Sequence, residues 1–236
     1  PGKGLQPNKM NELIGQHAKH DFKSGDFFYP NDIQQKTIQR RNYKFKRPWG
    51  IPVRFHDFIK LTKDIQPELV EFHLSYKDLN IDFEKHIPPN NKMDFVVHSP
   101  ELFAGDHTLD LCSSDEVYRS KSIKELQGVI HLTRDLNKLF PKTKTPKIVV
   151  NVGGVSENDF LSPMERSQCY AQLDDSLKKL DLEGVELIPQ TMPPFPWHFG
   201  GQRYHNLFVS ADEIVEFCQK HNMRICLDVS HSKLAC

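Results

Sequence analysis

The chain has 236 residues, of which 38% are hydrophobic and 26% are charged, a composition typical of a globular protein with a substantial core. Its 31 lysines and arginines balance 31 aspartates and glutamates, so it lacks the basic excess of a nucleic-acid-binding protein. The sequence contains no apolar run of about 18 residues, no signal-peptide pattern and no CxxC cysteine pair. We therefore expect free thiols, a cytoplasmic location and no membrane partner.

The first segment, residues 1–33, is short and polar. Its pattern predicts a helix end at 13–15, strands at 18–22 and 27–29, and a turn at 23–26. A segment of this length is too short to bury an independent core, because folds below about 40 residues usually need staples or a partner. Residues 34–50 are basic and irregular, which predicts a solvated linker, with phosphate contact as the alternative.

From residue 51 to residue 236, apolar runs alternate with helical periodicity. The runs predict six strands, at 51–56, 69–75, 94–99, 147–152, 184–190 and 224–230. The periodicity predicts three helices, at 115–140, 162–180 and 210–222.

The helix starts carry recognisable signals. Ser162, Pro163 and Glu165 form a capping-box pattern, and Ser210 with Glu213 repeats its spacing. The longest helix has an apolar stripe made of Val117, Ile123, Leu126, Ile130, Leu136 and Leu139.

Strands separated by helices predict parallel βαβ units. The length after residue 50 suits six of the eight units of a (β/α)8 TIM barrel, so the predicted fold class is α/β, a TIM-barrel type truncated after about six strands. An open doubly wound sheet is the rival, but it normally carries a glycine-rich phosphate loop after the first strand, which is missing here. Two unpaired sheet edges would favour aggregation or a homo-oligomer.

Polar residues end each predicted strand, where a core would prefer valine, isoleucine or leucine. In a barrel, such residues converge on the C-terminal face, where active sites lie. The candidates for contacting substrate or moving protons are Arg54, His56, His73, Glu101, Asn151 and Gln190.

Three of the strand-end residues have metal-ligand chemistry. His98 ends the third strand, and Asp228 and His231 form a D-x-x-H pattern after the sixth. Imidazole nitrogens with a carboxylate suit Zn²⁺, Mn²⁺ or Fe²⁺. The loop at 191–201 is rich in proline and aromatic residues and includes Trp197 and His198. It could cover a sugar ring over the barrel mouth, or it could pack on neighbouring apolar surface.

The segments around 95–100, 148–154, 187–190 and 227–231 resemble the xylose-isomerase-like barrels, or sugar phosphate isomerase/epimerases, which share their fold with endonuclease IV. The resemblance implies a sugar or sugar-phosphate substrate and a divalent cofactor (Zn²⁺, Mn²⁺ or Mg²⁺) held by His98, Asp228 and His231. Asn151 and Gln190 depart from it, since they stand where the family often has His and a metal-binding Glu.

Residues 1–32 resemble the second half of the SAF, or antifreeze-like, domain of sialic acid synthases. The resemblance rests on Pro-Gly-Lys-Gly at 1–4, Ile-Gly at 14–15 and His-Asp-Phe-Lys-Ser-Gly-Asp at 20–26. It implies a barrel attached to a synthase of sialic-type acids.

Three functions follow from these resemblances. The first is a metal-assisted sugar isomerase or epimerase in which His56, His73, Glu101 or His198 moves protons and Arg54, Asn151, Gln190 or Trp197 binds the sugar. The second is a non-catalytic sugar-binding or regulatory module, which Asn151 and Gln190 favour. The third, an AP-endonuclease-like DNA-repair nuclease, conflicts with the zero net charge, because phosphate backbones are bound by clustered Lys and Arg.

Overall fold

The computed structural model describes residues 4–33, 45–193 and 203–234. The chain divides into two compact units, Pro1–Lys46 and Arg47–Cys236. None of the described residues belongs to a helix that is both long and apolar enough to cross a membrane.

The first unit contains three short helical segments within its described part. They are a 3-10 turn at Pro7–Lys9, α1 at Met10–Leu13 and α2 at Pro30–Ile33. The predicted turn forms, with the amide of Asp26 donating to the carbonyl of Lys23 over 3.1 Å. The predicted strands at 18–22 and 27–29 are wrong, since these residues have no strand pairing and Phe27 is half exposed.

The second unit is built on a parallel sheet with the strand order β1-β2-β3-β6-β8. The strands of this sheet are β1 Gly50–Val53, β2 Leu69–His73, β3 Asp94–His98, β6 Lys147–Val150 and β8 Glu186–Pro189. Two antiparallel pairs lie outside it: β4 Leu102–Phe103 with β5 His107–Thr108, and β7 Val155–Ser156 with β9 Tyr204–His205. The first five predicted strands are thus confirmed, although each ends one to three residues before its predicted end.

Helices and 3-10 turns separate the sheet strands and follow the last of them. They are α3 Phe58–Thr62, 3-10 turns at Tyr76–Asn80 and Phe83–Lys85, α4 Glu116–Asn137, α5 Pro163–Lys178, α6 Ala211–His221 and α7 Val229–Lys233. The capping box predicted for α5 is present, with Ser162 and Glu165 bonded reciprocally. At α6, Ser210 makes no side-chain cap bond, and Glu213 instead accepts a hydrogen bond from Arg166 over 2.9 Å.

The apolar stripe of α4 is largely confirmed, but one member is misplaced. Leu126, Ile130 and Leu136 are fully buried. Val117 is 81% exposed, because it precedes the buried Leu126 by about two and a half helical turns and therefore lies on the opposite face of the helix.

The prediction of a sixth strand at 224–230 is wrong. Its pairing is a single parallel bridge between Cys226 and Gln190. The chain then turns into α7, because the Asp228 side chain accepts a hydrogen bond from the amide of His231 and caps the helix. Leu227 and Val229, which have strand-like side chains, are more than 60% exposed.

Apolar and polar residues alternate along β2, and this alternation places them on opposite faces of the sheet. Val70 and Phe72 are buried in the apolar core, whereas Glu71 and His73 point to the opposite face. Phe72 packs against four other rings, those of Phe55, Phe58, Phe95 and Phe140. The face that carries Glu71 and His73 is therefore free to hold polar chemistry.

Candidate functional site

A cavity of about 500 Å³ lies at the carboxyl ends of the parallel strands. The residues that line it follow or end β1, β2, β3 and β8, or belong to the segment leading into α7. They are Arg54, Glu71, His73, Leu74, His98, Ser99, Glu101, Gln190, Cys226, Asp228 and His231. Three carboxylates and three imidazoles thus share one space, as the strand-end pattern predicted.

The side-chain amide of Gln190 is the hub of one side of this cavity. Its Oε1 lies 2.8 Å from Nε2 of His98 and its Nε2 donates to Oδ2 of Asp228 over 2.9 Å. The same Nε2 lies 3.3 Å from Nδ1 of His231. Gln190 is only 6% exposed, so this amide is a fixed part of the wall. All three predicted metal ligands therefore contact one side chain.

Asp228 and His231 are also bound to the backbone around them. Oδ1 of Asp228 accepts from the amide of His231 over 2.9 Å. Nδ1 of His231 lies 2.8 Å from the carbonyl oxygen of Thr191, which can only accept a hydrogen bond, so Nδ1 is the donor in this contact. The D-x-x-H pattern is thus a helix cap as well as a pair of cavity residues.

A second cluster lies on the β2 side of the cavity. His73 pairs in register with His98 on β3, and their rings stack with centroids 4.4 Å apart and planes 26° apart. Nδ1 of His73 lies 3.2 Å from Oε1 of Glu71. This contact with His73 lowers the pKa of Glu71 against the opposing effect of burial.

Arg54 enters the cavity from the end of β1. Its Nη1 donates to Oδ2 of Asp78 over 2.9 Å. The same oxygen accepts from the amide and the hydroxyl of Ser75, both at 2.7 Å. Asp78 is 6% exposed, so a buried carboxylate orients the arginine.

The remaining predicted residues have different positions. Glu101 lines the cavity, and its Oε1 lies 3.4 Å from Nδ2 of the buried Asn151, which does not line it. Oδ1 of Asn151 accepts from the amide of Gly153, so Asn151 shapes the loop after β6. His56 is exposed and is not part of the cavity wall. Trp197 and His198 lie outside the described residues.

Sequence reasoning gave no role to Glu71 or Cys226. Glu71 could have been found from its i, i+2 spacing with His73 on one strand, which places both side chains on the same face. Cys226 carries no such signal, because it enters the wall through its bridge to Gln190. Burial raises the pKa of the Cys226 thiol, and Glu71 and Asp228 raise it further.

The donor set of the cavity fits a divalent ion, since it combines imidazoles, carboxylates and an amide oxygen. The trio implied by the resemblance, His98, Asp228 and His231, would bind one ion only if the Gln190 amide rearranged between them. Among the described residues, the cluster whose donor atoms already lie within 4.8 Å of one another is Glu71, His73 and His98.

A smaller cavity of about 320 Å³ adjoins the loops after β5 and β6. Asp110 lines it, and burial raises the pKa of this carboxyl. Its Oδ1 accepts from the amides of Gly154 and Cys112, at 3.0 and 2.9 Å. Asp110 thus acts as a structural residue that ties two loops together.

Comparison with known proteins agrees with this architecture. The family model described as "Xylose isomerase-like TIM barrel" matches residues 58–235. No curated protein matches the chain significantly.

Several solved structures share the fold at 16% sequence identity. A D-tagatose 3-epimerase-like protein has a TM-score of 0.54, with 79% of this chain and 66% of that chain covered. An L-ribulose 3-epimerase has a TM-score of 0.52, with 79% and 62% covered. A D-psicose 3-epimerase, crystallised in the presence of D-fructose, has a TM-score of 0.52, with 80% and 65% covered.

The chain spans slightly less than two thirds of the length of these structures. Because the family model covers well over half of the chain, the predicted barrel family and the predicted α/β class with a parallel sheet are confirmed. The chain belongs to the xylose isomerase-like TIM barrel family.

Proposed function

We propose that the cavity at the carboxyl ends of the strands binds a small sugar or sugar phosphate and that the protein is a metal-assisted isomerase or epimerase. The observation that carries this proposal is the shared space of about 500 Å³ lined by three imidazoles and three carboxylates. Its size suits one small ligand. Three solved structures of the same fold are named as sugar epimerases or as epimerase-like, which supports the substrate class.

The reaction needs a group that removes a proton from the carbon beside a sugar carbonyl and returns one. Glu101 is the candidate, because it lines the cavity and a carboxylate can accept a proton. Arg54 would hold a sugar oxygen or a phosphate, since Asp78 orients its guanidinium. Gln190 would contact the sugar through an amide that can donate and accept. His56 has no role in this proposal, since its side chain lies outside the cavity wall.

The resemblance gives His98, Asp228 and His231 as the metal ligands. When bound, a divalent ion would polarise the sugar carbonyl and stabilise the negative charge that develops on its oxygen. The residues of this chain then have the tasks of orienting the sugar, excluding water and moving the proton.

One observation favours a second function, a non-catalytic sugar-binding module. Gln190 occupies the centre of the predicted ligand set, and an amide cannot act as a general base. The SAF resemblance of residues 1–32 supports the further proposal that such a module, or the isomerase, belongs to a sialic-acid-synthase-type protein of carbohydrate biosynthesis.

The test is proton exchange in heavy water, followed by NMR, with a panel of ketohexoses, ketopentoses and their phosphates and with Zn²⁺, Mn²⁺ or Mg²⁺ added. Deuterium incorporation beside the carbonyl, reduced at least tenfold in Glu101→Gln, would support the isomerase. Saturable sugar binding without exchange would favour the binding module. If no sugar of the panel binds or exchanges, the sugar proposal is wrong.

A further inference from the structure

We propose that a divalent metal ion binds on the β2–β3 side of the cavity, held by Glu71, His73 and His98. This inference concerns metal binding alone and holds whether or not the cavity turns over a sugar.

The placement of the three side chains follows from the strands. Glu71 and His73 are two residues apart on β2 and therefore share a face of the sheet. His73 and His98 are register partners on adjacent parallel strands, which brings their rings to a centroid separation of 4.4 Å. One donor atom from each residue lies within 4.8 Å of the others. The backbone thus positions all three donors without help from a loop.

The chemistry of this trio is that of an open metal site. Two imidazoles and one carboxylate are a ligand set of catalytic zinc sites, where a water or a substrate atom takes the fourth position. The side chains of Glu71 and His73 are 34% and 50% exposed, so an ion can reach them from the cavity. The carboxylate of Asp228 lines the same cavity, and its negative charge favours a cation nearby.

The Asp228 side of the cavity is less prepared for an ion. Both carboxylate oxygens of Asp228 already accept hydrogen bonds, one from the amide of His231 and one from Gln190. These hydrogen bonds would have to break, or be shared with the ion, before Asp228 could bind a metal. The carboxylate of Glu71, in contrast, contacts the imidazole of His73, and a bound ion would replace this contact.

Isothermal titration calorimetry of the whole chain with Zn²⁺, after removal of bound metal with EDTA, tests the inference. We expect about one ion per chain. Glu71→Gln and His73→Gln should each weaken this binding at least tenfold, whereas Asp228→Asn should change it by less than about threefold. His56→Gln is the matched control, because this exposed histidine lies outside the cavity and its loss should have no effect.

Circular dichroism of each variant checks that it folds, and both Glu71 and His73 are exposed enough to be replaced without opening the core. A thiol contribution to Zn²⁺ binding would be common to all four variants and would cancel in the comparison. Two results would overturn the inference: no Zn²⁺ binding that depends on Glu71 and His73, or a loss of binding in Asp228→Asn that Glu71→Gln does not share. In the second case the ion occupies the set implied by the resemblance. In the first case, the contact between Glu71 and His73 is only a side-chain hydrogen bond.

Discussion

Oε1 of Gln190 lies 2.8 Å from Nε2 of His98, so an uncharged amide joins the end of β8 to the end of β3 across the intervening strand β6. The other end of the same amide donates to Asp228. This arrangement separates the cavity into two groups of metal-ligating side chains. Glu71, His73 and His98 lie on one side of the cavity. Asp228 and His231 lie on the other side, and Gln190 contacts both groups.

Gln190→Glu should destabilise the metal-free protein. A carboxylate at this position would place an oxygen about 3 Å from Oδ2 of Asp228, where the amide now donates a hydrogen bond. We expect the free energy of unfolding at pH 7 to fall by about 1–3 kcal/mol. Added Zn²⁺ should restore more stability to the variant than to the parent, because a cation relieves the repulsion.

Urea unfolding with EDTA and with Zn²⁺ measures both effects. Gln219→Glu on the exposed face of α6 is the matched control and should change stability by less than about 0.5 kcal/mol. Equal stability of the Gln190→Glu variant and the parent in EDTA would show that the amide is not a structural hub.

Asp78→Ala should release the guanidinium of Arg54 from its carboxylate partner and should also destabilise the protein. The substitution removes one carboxylate oxygen that accepts from Arg54, from the amide of Ser75 and from its hydroxyl. Hydrogen bonds to a charged acceptor are each worth about 1.5–3 kcal/mol, so we expect a loss of at least about 2 kcal/mol in urea unfolding. Ser75→Ala keeps the ion pair and should cost less. If both variants unfold at the same urea concentration, the buried ion pair contributes nothing to stability.

The ion pair between Glu186 and Arg224 should give the protein a pH-dependent stability. Arg224 lowers the pKa of Glu186 below its ordinary value of 4.5. A carboxyl group with a lowered pKa in the folded state stabilises the fold above pH 4.5, and this stabilisation is lost as the pH falls through the lowered pKa. Arg224→Gln should therefore cost up to about 1 kcal/mol at pH 7, and this cost should shrink as the pH falls through the lowered pKa of Glu186.

Urea unfolding of the parent and of Arg224→Gln at about pH 7, 5 and 3.5 tests this expectation. Lys85→Gln is the control, because Lys85 pairs with Asp82 at 3.0 Å on the surface, where both side chains are more than half exposed. Such a pair contributes little. A difference between the parent and Arg224→Gln that stays constant across this pH range would contradict the prediction.

Gly153→Ala should strongly destabilise the loop that follows β6. Gly153 has a φ of +91°, and a Cβ there would overlap Oδ1 of Asp110 and lie 2.5 Å from its Cα. The positive φ alone costs about 1 kcal/mol or more, and the clash with backbone adds to it. Gly184 has a φ of +73° and open space within 4 Å of the place that a methyl group would take, so Gly184→Ala isolates the cost of the conformation. Thermal unfolding should give a clearly lower Tm for Gly153→Ala than for Gly184→Ala. The reverse order would show that the clash with Asp110 does not determine stability.

The sequence by itself determined the segments that became β1, β2, β3, β6 and β8, because each strand of the sheet needs apolar residues on the face that packs on the core. It also determined the start of α5, since Ser162 and Glu165 satisfy the first amides of the helix locally. Polar residues at the strand ends predicted a cavity, because parallel strands deliver their carboxyl ends to one side.

Only the tertiary structure decided which of those residues meet. His73 and His98 lie on different strands and stack because of the register between β2 and β3, which no local pattern encodes. Gln190 became a hub because the bridge at Cys226 brings Asp228 and His231 beside it. The segment 224–230 has strand-like residues, yet Asp228 turns it into a helix, since a side-chain cap and a single bridge outweigh local strand preference there.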